Sequence, residues 1–168
     1  VCADVAFKAG RGIELVVEFS NEGRAMLGGL KVGCMPALPP DLLERAVACA
    51  GKADAAIVVI GLNDEWESEG HDRADLELPG RQVELIERVA AANPRTIVVV
   101  NAGAPIRMDW LARVPAVVQL WYAGQETGHA LADVLSGDVN PSGRLPQTWP
   151  RRIEDTPAFL HYPGENGR

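Results

Sequence analysis

Thirteen consecutive residues, Gly61-Leu62-Asn63-Asp64-Glu65-Trp66-Glu67-Ser68-Glu69-Gly70-His71-Asp72-Arg73, concentrate five carboxylates, an imidazole, a guanidinium and an indole. Carboxylates crowded this closely repel one another, and an indole beside them keeps water away. Both effects disfavour the ionised form, as a general acid working near neutral pH requires. Arg73 would hold Asp72 ionised in a structural pair and leave a glutamate to carry the proton. The plainer alternative is a solvated acidic loop, but such a loop needs neither Trp66 nor the glycine that follows Glu69. A metal set of Glu65, Glu67, Glu69, His71 and Asp72 would join hard oxygen donors to one imidazole. Neither an HExxH nor an EF-hand spacing accompanies it, so no metal and no cofactor is expected.

Other motifs are excluded by their spacing. No GxGxxG or GxxxxGK[ST] run occurs, so a nucleotide phosphate would lack its cradle of glycines. No GxSxG nucleophile turn exists, and Ser68 is flanked by carboxylates that would repel a developing oxyanion. Asn101-Ala102-Gly103-Ala104-Pro105 reads as a generic turn after a strand. His129 falls in a helical stretch and His161 in the tail, both structural in this reading. Trp110, Trp121 and Trp149 read as core, and Trp66 as a possible platform for a sugar ring.

The elements that position the acidic loop follow from hydrophobic patterning. Ala55–Ile60, Thr96–Val100 and Ala116–Trp121 are short apolar runs of the kind that form buried strands covered on both faces. Helical stripes separate or flank them: Leu42, Leu43, Ala46, Val47 and Ala50 ahead of Gly51, then Val83, Ile86, Val89 and Ala90 within Arg81–Ala92. A third helix spans Gln125–Leu135 and ends at Gly137. Asp41 with Glu44 three positions on predicts a capping box, and Asn93-Pro94 predicts a stop. Strand–helix alternation of this length implies an α/β fold, a mainly parallel sheet with helices on both faces. Ligands of such sheets bind beyond the carboxyl ends of the strands, where the acidic loop sits.

Residues 1–38 read differently. Ile13–Phe19 and Leu30–Met35 are β-rich runs joined through the turn residues Ser20-Asn21-Glu22-Gly23. A lone hairpin is marginal in water, so these strands are expected to complete a sheet supplied by other chain. The tail, Pro141–Arg168, is rich in Pro, Gly and Arg and is expected to form a long ordered loop.

The chain of 168 residues carries a formal net charge of −7, without a basic stripe, which argues against nucleic acid as a partner. Its apolar runs are too short to span a bilayer, and no secretory leader is visible, so a cytoplasmic location is expected. Cys2, Cys34 and Cys49 are widely spaced and read as reduced structural thiols.

The loop Gly61–Arg73, followed by Leu76-Glu77-Leu78-Pro79-Gly80-Arg81-Gln82, resembles the acid/base loop of family 3 glycoside hydrolases, the β-glucosidases in particular. Three later segments agree in order: Val99-Val100-Asn101-Ala102-Gly103-Ala104-Pro105, Trp121-Tyr122-Ala123-Gly124-Gln125-Glu126, and the run Ala132 to Pro146, the most specific of the three. The resemblance implies that residues 39–168 are the C-terminal α/β domain of that family, incomplete at its C-terminus. It implies that residues 1–38 are the remnant of an inserted protective-antigen-type β-sandwich. It further implies a retaining mechanism, with an Asp on a separate N-terminal barrel as nucleophile and a Glu of this domain as acid/base. Retention requires the two carboxyl groups about 5–5.5 Å apart, so the two domains would meet across a β-glucoside substrate. The position before the glycine in the Glu-Gly-x-Asp-Arg pattern is Glu69, with Glu67 and Glu65 next in line; Asp72 and Arg73 would support the loop. His71 departs from the pattern, which has an aromatic there. With no barrel in the sequence, the chain alone is expected to be inactive. The competing reading is a carbohydrate-binding or scaffold module that kept the fold without the chemistry; a nucleotide-binding domain would rest on fold analogy alone.

Overall fold

The computed structural model describes residues 5–6, 10–20, 32–33 and 37–161. The chain divides into two compact units, Val1–Leu38 and Pro39–Arg168.

In the first unit the expected strand over Ile13–Phe19 is not formed. Residues 11–20 hold no regular structure, and Ile13, Val16, Val17 and Phe19 are exposed. A β-rich run becomes a strand only where a neighbour accepts its ladder of hydrogen bonds, and no described residue pairs with it. Most of the second expected strand and its turn lie outside the described residues.

The second unit contains the helix α1 (Leu42–Ala50), strand β1 (Ala56–Gly61), helix α2 (Gln82–Ala92), strand β2 (Thr96–Asn101), strand β3 (Ala116–Gln119) and helix α3 (Thr127–Ser136). The three strands form one parallel sheet in the order β1-β2-β3, with Ala56 opposite Thr96 and Ile97 opposite Ala116. The fold is α/β, as the alternation of patterns predicts. One face of the sheet (Ala56, Val58, Ile60, Val98, Val100) packs with Ile86 and Val89 of α2 and Ala50 of α1 into the core, joined by Ile106 and Trp110. Ile86, Ile106 and Trp110 are fully buried.

The other face of β1 departs from expectation. Ile57 and Val59 are 54% and 59% exposed, so β1 is covered on one side only among the described residues. The reason is its place at the sheet edge, where a continuous apolar run finds fewer neighbours than in a central strand; Val98, Val99 and Val100 of the central β2 are at most 1% exposed.

Helix ends explain two further differences. Asp41 makes no side-chain cap; Glu44, its expected partner in a capping box, instead accepts a hydrogen bond from Arg88 of α2 at 3.1 Å. The Asn93 stop is more substantial than a helix breaker. Its side-chain amide donates to the carbonyls of Ala50 and Ala53, both at 2.9 Å, and its oxygen accepts the Arg95 N–H at 2.8 Å. One buried side chain thus ties the end of α1 to the start of β2. Gly137 ends α3 in the left-handed conformation, φ 86°, which costs a glycine nothing. The tail runs without long elements to residue 161 and is held by the Met108 N–H, which donates to the Pro150 carbonyl at 3.0 Å.

Candidate active site

The acidic loop leaves β1 at Gly61, and that residue has to be glycine. A Cβ there would lie 1.9 Å from the carbonyl oxygen of Asn101 on β2. The side chain of Gln82, at the start of α2, grips the same peptide from both sides: its oxygen accepts the Gly61 N–H at 2.7 Å, and its amide donates to the Gly61 carbonyl at 3.0 Å. The loop therefore starts from a fixed point at the carboxyl end of the sheet.

Asn63 then turns the chain. Its side-chain oxygen accepts the Glu65 N–H at 3.1 Å, and its carbonyl accepts the N–H groups of Trp66 and Glu67, both at 2.9 Å. Such local bonding is why Asn favours turns. Glu65 and Trp66 consequently point outward, Trp66 being 44% exposed.

Glu67 is turned inward. Its Oε2 accepts the backbone N–H of Gly103, in the loop after β2, at 2.9 Å. The same oxygen takes a short hydrogen bond from the Tyr122 hydroxyl, which follows β3, and that hydroxyl also lies 3.1 Å from the Leu62 carbonyl. Glu67 Oε1 is enclosed without a partner. About half of Tyr122 remains accessible (51%), yet its hydroxyl pKa is pushed up to about 12, first by removal from water and then by the hydrogen bond and charge of Glu67.

The chain then forms a small hairpin. Ser68 and His71 make an antiparallel bridge, and Ser68 Oγ accepts the Gly70 N–H at 3.0 Å. Glu69 sits on this hairpin and is exposed, as are His71 and Asp72. Arg73 closes the excursion by donating from a guanidinium nitrogen to the Pro105 carbonyl at 3.0 Å. The structure thus brings Glu67, Tyr122 and Gly103 together, and Arg73 with Pro105, at the two ends of the short hairpin that carries the exposed Glu69. Among the described residues no group of three or more His, Cys, Asp or Glu side chains is placed to share a metal ion.

Glu67, an alternative acid/base on the sequence, has Oε1 enclosed and Oε2 already accepting two hydrogen bonds. Tyr122, Gly103 and Gln82 lie in the segments that carry the resemblance, but the sequence assigns them no role in the site. Their signal was positional: Gly103 and Tyr122 each follow the carboxyl end of a strand, where the loops of a parallel sheet converge. Of the tryptophans assigned to the core, Trp110 is fully buried, whereas Trp121 and Trp149 are half-buried and pack edge to face with centroids 5.9 Å apart. They line an apolar cleft of ≈ 740 Å³ with Val117, Val118, Leu131 and Val134. His129 is exposed on α3 and pairs with Glu126 at 2.7 Å.

The family model described as the glycosyl hydrolase family 3 C-terminal domain matches residues 8–167. The chain belongs to glycosyl hydrolase family 3. A β-glucosidase of Rhizobium radiobacter is 44% identical over 97% of this chain and 21% of its own length. A β-glucosidase of Kluyveromyces marxianus, whose crystal structure holds glucose, superposes with a TM-score of 0.74 at 46% identity, over 80% of this chain and 16% of that one. The family 3 β-glucosidase of Bifidobacterium adolescentis gives 0.70 at 39%, over 80% and 20%. The chain therefore spans about a fifth of the length of these relatives. The family match begins at residue 8, inside the first compact unit.

Proposed function

We propose that this chain acts as one part of a longer retaining β-glycosidase that hydrolyses terminal β-D-glucosides, and that Glu69 is its general acid/base. In this account the nucleophilic carboxylate lies on an N-terminal barrel domain, and the first 38 residues are the end of an inserted β-sandwich. The observation that carries the reading is the contrast between two glutamates two residues apart. Glu67 is held with neither oxygen presented, whereas Glu69 stands exposed at the tip of a hairpin anchored beyond the carboxyl ends of the strands. An acid/base has to reach a glycosidic oxygen and, later, a water, on a second surface. A carboxylate held out from a tethered hairpin meets that requirement.

The roles follow from the retaining scheme. The barrel nucleophile attacks the anomeric carbon while Glu69 protonates the departing oxygen. Glu69, now ionised, takes a proton from the water that releases the sugar. Asp72 and Arg73 stabilise the base of the hairpin, and Trp66 offers an exposed indole face to the sugar or its aglycone. No metal or cofactor enters these steps.

The test compares this chain with the full-length protein that contains it, on an aryl β-glucoside. Activity confined to the longer protein, and recovered when this chain is mixed with a family 3 barrel domain, supports the split site. Hydrolysis by this chain alone, or none by the intact protein on any β-glucoside, rules it out.

A further inference from the structure

We infer that Glu67 and Tyr122 form a clamp that positions the Glu69 hairpin, with Gly103 as its floor; the inference rests on the reading of Glu69 as the acid/base. The hairpin has two feet. The first is Glu67, whose Oε2 is fixed by the Gly103 N–H at 2.9 Å and by the Tyr122 hydroxyl. The second is Arg73, bonded to the Pro105 carbonyl at 3.0 Å. Both feet stand on the same short segment after β2, so residues 68–72 project from a base closed on itself. The Tyr122 hydroxyl, whose one proton is directed to Glu67, also sits 3.1 Å from the Leu62 carbonyl at the start of the loop.

The surroundings are built to hold this tyrosine. A Cβ at position 103 would sit 3.0 Å from the Tyr122 ring, so glycine lets the ring lie directly over the backbone that binds Glu67. The preceding residue, Trp121, has φ 60°, a left-handed conformation that is strained for a non-glycine residue and persists only where neighbours enforce it. That turn sends the Trp121 ring against Trp149 and the Tyr122 hydroxyl to Glu67. Strands β1, β2 and β3 thereby all act on one hairpin: β1 launches it, the loop after β2 holds its feet, and the segment after β3 locks the first foot.

Glu67 and Tyr122 in this account are positioning residues. Misplacing a catalytic group by about 1 Å can cost about 100-fold in rate. In the full-length enzyme, Tyr122→Phe keeps the ring over Gly103 and removes only the hydroxyl. Glu67→Ala removes the first foot, and Glu67→Gln keeps an oxygen for the Gly103 N–H. The expected result is a loss in kcat/KM of about 10- to 100-fold for phenyl β-glucoside with Tyr122→Phe and Glu67→Ala, with Glu67→Gln recovering part of it. The loss should shrink for a dinitrophenyl leaving group, which needs no proton, and azide should not restore the rate because the Glu69 carboxylate is still present. A merely structural role would lower every substrate equally, in step with the folded fraction. Losses below about twofold, or equal across leaving groups, overturn the clamp while leaving Glu69 untouched. Azide rescue of Glu67→Gln but not of Glu69→Gln would overturn the assignment of Glu69 itself.

Discussion

Replacing Gly61 with alanine tests how rigidly the loop is launched. The new methyl carbon would lie 1.9 Å from the Asn101 carbonyl oxygen and 2.6 Å from its carbon, both backbone atoms of the neighbouring strand. To reach even a tight contact the two strand ends have to move apart by roughly 1 Å, a distortion of the kind that costs about 1–3 kcal/mol in a packed interior. The same movement disturbs the two Gln82 hydrogen bonds to the Gly61 peptide and the Leu62 N–H to Asn101 carbonyl bond at 3.0 Å, each worth about 1 kcal/mol. With all three bonds lost the combined cost is about 4–6 kcal/mol, or roughly 8–24 °C in Tm for a chain of this size. Gly137→Ala is the control: φ is 86° but nothing lies within 4 Å of a Cβ, so only the backbone conformation is penalised, at about 1–2 kcal/mol. Urea titration of both variants followed by far-UV circular dichroism gives the comparison. If Gly61→Ala proves no more destabilising than Gly137→Ala, the close approach of β1 and β2 at the loop is wrong.

Asn93→Ala leaves the Ala50 and Ala53 carbonyls and the Arg95 N–H without their side-chain partner; a loss of about 2–4 kcal/mol is expected in the same titration. Tyr122 should ionise near pH 12, read as phenolate absorbance in a Tyr162→Phe background that leaves it the only tyrosine. Because the folded-state pKa is raised, the stability it contributes is fully present below about pH 10 and is lost as pH rises through about 12. Glu67→Ala should move that titration back toward the ordinary range.

The parallel sheet was legible because buried strands leave continuous apolar runs and the helices between them leave stripes. The expected cover on both faces failed at β1, since an apolar run reports what a strand tends to bury and not whether a neighbour is present to bury it; Ile57 and Val59 show the difference. Ile13–Phe19 failed for a related reason, its pairing being a property of another segment. Within the site, the loop and its carboxylates were visible in composition, but the division of labour among them was not. Composition does not separate Glu67 from Glu69; the contacts from Gly103 and Tyr122, 36 and 55 residues away, turn Glu67 inward and leave Glu69 exposed. Asp41 and Glu44 matched a capping pattern, yet Arg88 competes for Glu44 across the helix pair. In each case the outcome of a local pattern was decided by a partner distant in sequence, present for Glu67 and Glu44 and wanting among the described residues for Ile57, Val59 and Ile13–Phe19.

The most direct test of the central claim is the leaving-group dependence of Glu69→Gln in the full-length enzyme. If Glu69 supplies the proton, kcat/KM for phenyl β-glucoside should fall by about 100- to 10,000-fold. Dinitrophenyl β-glucoside should be largely spared, with azide raising turnover and yielding the β-glucosyl azide. An even loss across both substrates, or no loss, would contradict the account and move the acid/base off Glu69.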